Sequence, residues 1–314
     1  MMHHYKSLVT GGCGFIGSHV VDSLMAKGHQ VIVIDDKSAE SNDKFFENPK
    51  IYESGFKASY FDCSITDYEK IAPLFIGVDY VFHLGAESRI QPTLERPQDA
   101  CMTNFVGTCN VLQAARANGV KRVMYSSTSS GYGLKNEPPL REDMERDCLN
   151  PYAVTKVAAE DLARMYYTLW GLETVIFRYF NIYGDREPTK GQYAPVVGLF
   201  LKQKRNKEAL TVVGDGSQRR DFTHVEDVVQ ANMLAMQSDN EQIFGEVFNV
   251  GSGSNCSVLE LANMISDEHV FLPARPGESK NTLADISKAK RLLGYEPTVR
   301  IEEWIKQKIT SSNT

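Results

Sequence analysis

The sequence predicts an α/β chain: a doubly wound parallel sheet followed by a smaller C-terminal α/β domain. Three observations lead there. Short apolar runs alternate with stretches of helical period through the first half of the 314 residues, the pattern of successive βαβ units. Runs such as Val31-Ile32-Val33-Ile34 are apolar on both faces, as burial beneath two helical layers requires. A glycine-rich turn joins the first run to the first helix, the place where such a sheet meets phosphate.

Strands are expected at Ser7–Thr10, Gln30–Asp35, Ala58–Asp62, Tyr80–Leu84, Arg122–Ser127 and Glu173–Arg178. Helices are expected over Ile16–Lys27, Tyr68–Leu74, Asp99–Asn118 and Pro151–Trp170. After Arg178 the pattern loosens into loops rich in Gly, Pro, Lys and Gln, at 184–193, 214–220 and 275–281. We therefore divide the chain into a nucleotide-binding domain over residues 1–178 and a mainly substrate-binding domain over residues 179–314. Segments near 220–250 (Arg220–Ser238 and Glu246–Asn249) look able to return to the first sheet.

With 42% hydrophobic residues the chain can bury a sizeable core. A net charge of -6 argues against a nucleic-acid partner or an anionic membrane surface, since both demand clustered Lys and Arg. The basic stretch from Lys190 to Lys207 reads as a solvated helix face. No apolar run approaches the ~20 residues that span a bilayer, so no membrane segment and a cytoplasmic location are expected. The six cysteines are scattered without a C-x-x-C pair, so neither a metal site nor a disulfide framework is expected.

Ser7-Leu8-Val9-Thr10 runs into Gly11-Gly12-Cys13-Gly14-Phe15-Ile16-Gly17 and then an amphipathic helix. Gly11, Gly14 and Gly17 let the backbone turn tightly beside a pyrophosphate, whose charge meets the open N–H groups at Phe15 and Ile16. That is a variant of the Rossmann dinucleotide fingerprint, and its place between strand and helix gives it weight. Asp35 ends the next strand about twenty residues on, where a carboxylate accepts hydrogen bonds from the adenosine ribose. Asp36 follows, and no Arg stands there to meet a 2′-phosphate, which favours NAD over NADP. Asp62, next to Cys63, is placed either at the adenine amino group or as a helix N-terminal acid.

Asn150-Pro151-Tyr152-Ala153-Val154-Thr155-Lys156 sets Tyr152 and Lys156 on one face of a helix opened by Pro151. A phenol of pKa ~10 is a poor base at neutral pH. An ammonium one turn away, with a positive nicotinamide ring, would bring it into range. Upstream, the strand ending Ser126-Ser127-Thr128 opens into Ser129-Ser130-Gly131-Tyr132-Gly133. Ligands bind at the carboxyl ends of such strands, so Thr128 is a candidate third partner. Ser129 and Ser130 are read as satisfying the turn backbone.

Together these motifs resemble the extended short-chain dehydrogenase/reductase family over essentially the whole chain, and within it the UDP-sugar 4-epimerases. Arg178-Tyr179-Phe180-Asn181-Ile182-Tyr183-Gly184 is similar to their substrate-loop motif, which implies that Asn181 contacts the sugar-nucleotide diphosphate. The run Val213-Gly214-Asp215-Gly216-Ser217-Gln218-Arg219-Arg220-Asp221-Phe222 resembles a second motif and implies that Arg220 grips the same diphosphate. Arg275-Pro276-Gly277-Glu278 resembles a third, with Arg275 on phosphate and Glu278 on the uridine ribose. Two arginines on one diphosphate make physical sense, because the guanidinium bonds in a fixed fork. The resemblance also implies Asn104 as a structural or cofactor-site Asn near the nicotinamide. Ser88 lies in a loop matching the family poorly, and nothing is assigned there.

Related dehydratases and decarboxylases resemble one another in keeping a carboxylate just after the strand-end Thr. Ser129 and Ser130 stand there in this chain, leaving acid–base work at C5 and C6 without its agent. The resemblance thus implies a 4-epimerase with NAD as cofactor and a UDP-sugar as substrate. Small Thr282, where glucose-restricted members resemble one another in having Tyr, implies room for a 2-acetamido group: UDP-N-acetylglucosamine first, UDP-glucose second. A nucleotide-sugar dehydratase or reductase, and a non-catalytic NAD-sensing protein, remain the alternatives. The helices Asp99–Asn118 and Pro151–Trp170 are expected to pair in a homodimer as in the family, although packing on the sheet also explains their apolar residues.

Overall fold

A computed structural model describes residues 5–38, 58–189, 194–274 and 280–312. The first half runs β1 (Lys6–Thr10), α1 (Phe15–Ala26), β2 (Gln30–Ile34), β3 (Ser59–Phe61), α2 (Tyr68–Ile71), β4 (Tyr80–His83), α3 (Ile90–Glu95), α4 (Pro97–Ala100), α5 (Thr108–Ala117), β5 (Arg122–Thr128), α6 (Pro151–Trp170) and β6 (Glu173–Tyr179). Then come β7 (Ile182–Tyr183), α7 (Val196–Arg205), β8 (Leu210–Val213), β9 (Arg219–Arg220), β10 (Thr223–His224), α8 (Val225–Gln237) and β11 (Glu246–Val250). The chain closes with β12 (Cys256–Ser257), α9 (Val258–Ile265), β13 (His269–Leu272), α10 (Ser287–Leu293) and α11 (Ile301–Ser312).

Seven strands form one parallel sheet in the order β11-β6-β5-β4-β1-β2-β3. Side chains alternate between its faces, as a strand demands. Val9, Val31, Val33 and Met124 meet α1 and α8 on one face, while Leu8, Ile32, Ile34, Val123 and Tyr125 meet α5 and α6 on the other. The expected Rossmann-type doubly wound sheet is therefore present. A third cluster lies outside it, where Tyr183, Phe200, Val212, Leu261 and Trp304 join α7, β8, α9 and α11. The base of the large sheet is closed by Arg122, 1% exposed, which pairs with Glu173 at 2.7 Å and donates to the carbonyls of Ala235, Met236 and Ser238 at the end of α8.

Two expected helices differ from the structure. The helix begun at Tyr68 ends at Ile71 and continues to Phe75 as a 3-10 turn. Pro73 lacks an N–H and its ring crowds the preceding turn. The continuous helix expected over Asp99–Asn118 is interrupted by a π-helical stretch at Cys101–Gly107. At Gly107 a Cβ would meet Ile65 at 2.7 Å, so only glycine admits that approach. Asp62 caps no helix: it lies beyond β3, and the N-cap of α2 is Asp67. That removes the helix N-terminal alternative.

Glu187, 7% exposed, lies against the first turn of α7, and burial pushes its pKa up to about 8. Backbone N–H groups of Gly198 and Gly184 offset only part of this. A carboxyl raised in the folded state favours folding below its unfolded pKa and loses that advantage as pH climbs toward the folded value. Wild-type stability should therefore fall by on the order of 3–5 kcal/mol between about pH 5 and 8 from this group. In Glu187→Gln the fall should flatten, so the variant's melting temperature gains on wild type as pH rises. Parallel melting curves across that range check it.

Candidate active site

The carboxyl ends of the sheet strands build the site. After β1 the chain turns through Gly11, at φ +67°, into α1. A Cβ on Gly17 would lie 2.1 Å from the Gly11 carbonyl, so the loop and helix pack more closely than any side chain allows. Gly14 caps α1 without a side-chain hydrogen bond, and the first turn holds no acid. The first N–H groups, at Phe15 and Ile16, thus carry their partial positive charge toward the strand ends, where a pyrophosphate fits.

Asp35, just past β2, accepts hydrogen bonds from the Cys13 and Lys37 amides at 2.9 and 2.8 Å. Each carboxylate oxygen keeps a further lone pair for a ribose hydroxyl. Burial raises its pKa, and the two amides pull it back. Asp36 accepts from the Ser38 amide at 3.1 Å. Cys63 stands in the loop after β3, its Sγ 3.9 Å from the Phe61 carbonyl, beside Asp62.

The reacting centre gathers at β5 and α6. Asn150 caps α6 by accepting from the Ala153 amide at 2.9 Å, and Pro151 fills the first turn. Tyr152 follows, with the Thr128 hydroxyl near enough to lower its pKa; the Thr128 Oγ1 accepts from the Ser130 amide at 3.1 Å. Ser129 and Ser130 begin a 3-10 turn that holds no acidic side chain.

Lys156, one turn on, is buried. Its Nζ sits 4.5 Å from the centre of the Tyr125 ring, with the side chain 3% exposed. Burial pulls its pKa down to about 7, although Glu160 works to raise it. Burial likewise raises the Tyr152 phenol, which the Thr128 hydrogen bond partly offsets. Desolvation thus opposes charge on both groups.

Beneath this pair lies a network that sequence reasoning passed over. Glu160, 1% exposed, receives Arg178 through Nε and Nη2 at 2.9 and 2.7 Å and the Ser127 hydroxyl at 2.5 Å. Its signal was the spacing, since Tyr152, Lys156 and Glu160 recur every four residues on one face. Arg178 also lies over the Tyr132 ring at 4.8 Å, and the Tyr132 hydroxyl donates to Asn249 at 2.6 Å. Asn104 is fully buried on the π-helical stretch. It donates to Thr155 at 3.1 Å and holds both the amide and the carbonyl of Glu87, at 2.8 and 3.1 Å.

On the far side of β6, Asn181 adopts φ +34° and donates to the Asp221 carbonyl at 2.9 Å and to Thr282 Oγ1 at 3.2 Å. Two residues expected to meet substrate are thus in contact. Arg220 stands on β9 and lines a cavity of about 350 Å³ with Phe222, Cys256, Arg300 and Glu302. Arg275 and Glu278 lie outside the described residues. Among the described residues no helix is long and apolar enough to cross a membrane, and no His, Cys, Asp or Glu cluster is arranged for a metal.

Comparison with known proteins reaches the same region of chemistry. The family model described as GDP-mannose 4,6 dehydratase matches residues 8–308. The chain is 33% identical over 310 residues to a putative UDP-glucose 4-epimerase of Methanocaldococcus jannaschii, covering 96% of each. It is 35% identical over 324 residues to a UDP-N-acetyl-alpha-D-glucosaminuronate decarboxylase of Bacillus cytotoxicus, covering 97% of this chain and 96% of the relative. The crystal structure of UDP-glucuronic acid 4-epimerase from Bacillus cereus, in complex with UDP-glucuronic acid and NAD, superposes with a TM-score of 0.86 at 31% identity, covering 98% and 99% of the two chains.

Removing one half of a buried, hydrogen-bonded ion pair leaves a charge the interior cannot solvate, at a cost of about 3–5 kcal/mol. Glu160→Ala should lose that much stability in urea unfolding. Glu160→Ala combined with Arg178→Met should recover much of it, which a double-mutant cycle reads directly.

Proposed function

The chain belongs to the GDP-mannose 4,6-dehydratase family, and we propose that, among that family's NAD-dependent UDP-sugar epimerases and decarboxylases, it is a UDP-sugar 4-epimerase. It takes UDP-N-acetylglucosamine and its C4 epimer first, and UDP-glucose as a second substrate. The observation that carries this reading is the turn after Thr128, where Ser129 and Ser130 stand and no carboxylate follows. Elimination across C5–C6 needs a general acid–base pair at that place. Oxidation at C4 needs only Tyr152, Lys156 and Thr128.

The site suits NAD. The uncapped N-terminus of α1, with Gly11, Gly14, Phe15, Ile16 and Gly17, takes the pyrophosphate. Asp35 and Asp36 face the adenosine ribose, with Asp62 and Cys63 bordering the adenine. Bound NAD supplies the acceptor, and then the donor, of the C4 hydride. Tyr152, as phenolate, removes the C4 hydroxyl proton with Thr128 beside it, and the positive charge of Lys156, one turn along α6, favours that phenolate. Asn181 and Arg220, with Arg275, Glu278 and Thr282, hold the nucleotide end while the 4-keto hexose turns over. Tyr152 then returns the proton to the C4 oxygen of the turned sugar, whose C4 now carries its hydrogen on the opposite face. Asn104 keeps the first turn of α6 in place through Thr155.

Incubation with UDP-N-acetylglucosamine should yield UDP-N-acetylgalactosamine with no net NADH. A 4-keto-6-deoxy sugar or released carbon dioxide as the main product would overturn the epimerase reading. In Tyr152→Phe turnover should drop by about 10³-fold or more while UDP-sugar affinity stays within about threefold, because the phenol acts in the transition state. We further propose a homodimer through the helical face bearing Met102, Phe105, Val106, Val154 and Leu169, all exposed. Light scattering should give twice the chain mass, and Met102→Glu with Val154→Glu should give a monomer.

A further inference from the structure

Thr128 ends β5 and Tyr152 lies in the first turn of α6, whereas Asn181 and Thr282 meet one another at the substrate end. One strap joins the two places. Residues 134–149 leave the turn after Thr128 and return to Asn150, the cap of α6. The strap is closed at its base, where the Asp147 amide donates to the Gly131 carbonyl at 2.8 Å and its carboxylate accepts from the Leu134 amide at 2.8 Å. Its middle pairs with the segment that follows Thr282. Leu140 donates to the Leu283 carbonyl at 2.8 Å, and Asp285 donates to the Leu140 carbonyl at 2.9 Å. A single short element thus touches the substrate end and carries a reacting residue on each flank.

Asn249, fully buried on β11, ties these parts together. Its Nδ2 donates to the Leu140 carbonyl at 2.7 Å and to the Asp285 carbonyl at 3.2 Å. Its Oδ1 accepts from the Tyr132 hydroxyl at 2.6 Å, and its amide donates to Glu142 on the strap at 2.8 Å. Carbonyls only accept, so the side-chain amide stands in one orientation. Tyr132 in turn lies beneath Arg178, the partner of Glu160. Both donors of the Asn249 side chain are spent on backbone, so its effect falls on other residues. We propose that Asn249 is a positioning residue, which passes the placement of the Thr282 segment through the strap to Tyr152, so that a bound UDP moiety sets the reacting centre against the hexose. The assignment rests on the UDP-sugar reading above and deepens it. Turnover depends steeply on such placement, since a shift of ~1 Å remote from the chemistry can cost about 10²-fold.

Asn249→Asp keeps the shape and an acceptor for Tyr132, but it sets a carboxylate oxygen against two carbonyls that then lack a donor. Hydrogen exchange at the amides of Leu140, Asp147 and Ala153 is followed in NAD-loaded protein with and without UDP, which carries no hexose. In wild type, UDP should slow exchange at all of them. In Asn249→Asp, calorimetry should show UDP affinity within about twofold of wild type, while the slowing at Asp147 and Ala153 is lost. Turnover of UDP-N-acetylglucosamine should fall by about 10- to 10²-fold, with KM within about threefold. Tyr132→Phe removes one bond and leaves both carbonyl contacts, so it should lose less in the same direction; it carries the test if Asn249→Asp does not fold. UDP leaving Ala153 unchanged in wild type would overturn the proposal, as would a slowing there that survives in the variants. A loss of turnover matched by an equal loss of UDP affinity would overturn it too, because the residue would then serve the nucleotide pocket alone. Slowing that reaches Ala153 in wild type and is lost in the variants, with no epimer formed by wild type, would refute the epimerase reading and leave Asn249 assigned.

Discussion

The geometry of the site depends on one buried carboxylate, Glu160. It stands one turn past Lys156 on α6, and its oxygens are taken by Arg178 on β6 and Ser127 on β5. Such a pair need not stabilise the fold more than apolar side chains of the same volume would. Its effect is to restrict. The paired charges tie α6 to β5 and β6 in a fixed register, which sets Tyr152 beside Thr128. The restriction extends sideways, since Arg178 covers Tyr132 and Tyr132 bonds Asn249 on β11. Four strands and helices are thereby held to one arrangement by groups that touch no substrate.

The same burial governs the two reacting groups, with opposite signs. It raises the Tyr152 phenol and lowers the Lys156 ammonium to about 7. A positive charge brought to the phenol offsets part of that cost, so the proposed catalysis asks the bound dinucleotide and Lys156 together to favour the phenolate. Glu160 tilts the balance by favouring the charged lysine. The scaffold that fixes the register thus also tunes the base.

Much of this was legible in the sequence where the signal is periodic. Strands buried on both faces, the glycine turn and the 20-residue helix from Pro151 to Trp170 all follow from local pattern. The π-helical stretch does not, because it rests on Gly107 fitting against Ile65 and on Asn104 reaching Glu87 and Thr155, contacts between distant residues. Spacing places Lys156 on one helix face with Tyr152, and only tertiary packing reveals the Tyr125 ring against its Nζ. Glu160 was visible as the third member of a stripe, but its partner lay on a strand.

The nucleotide end is held as firmly as the reacting end is left open. The Asp221 carboxylate accepts from the Ser252 amide and hydroxyl at 2.7 Å each, from Gly253 at 3.2 Å and from Ala284 at 3.0 Å. Its carbonyl takes Asn181, and its amide donates to Thr282. Two residues assigned to the substrate are therefore positioned by one buried acid that meets none of it. At the end of β5, in contrast, the turn offers small hydroxyls, which can donate or accept toward whichever face is presented. The proposed epimerisation, in which a hexose shows both faces to one hydride position, needs this division: an anchor that does not move and a centre that does not prefer a face. A carboxylate at Ser129 or Ser130 would have given the centre such a preference.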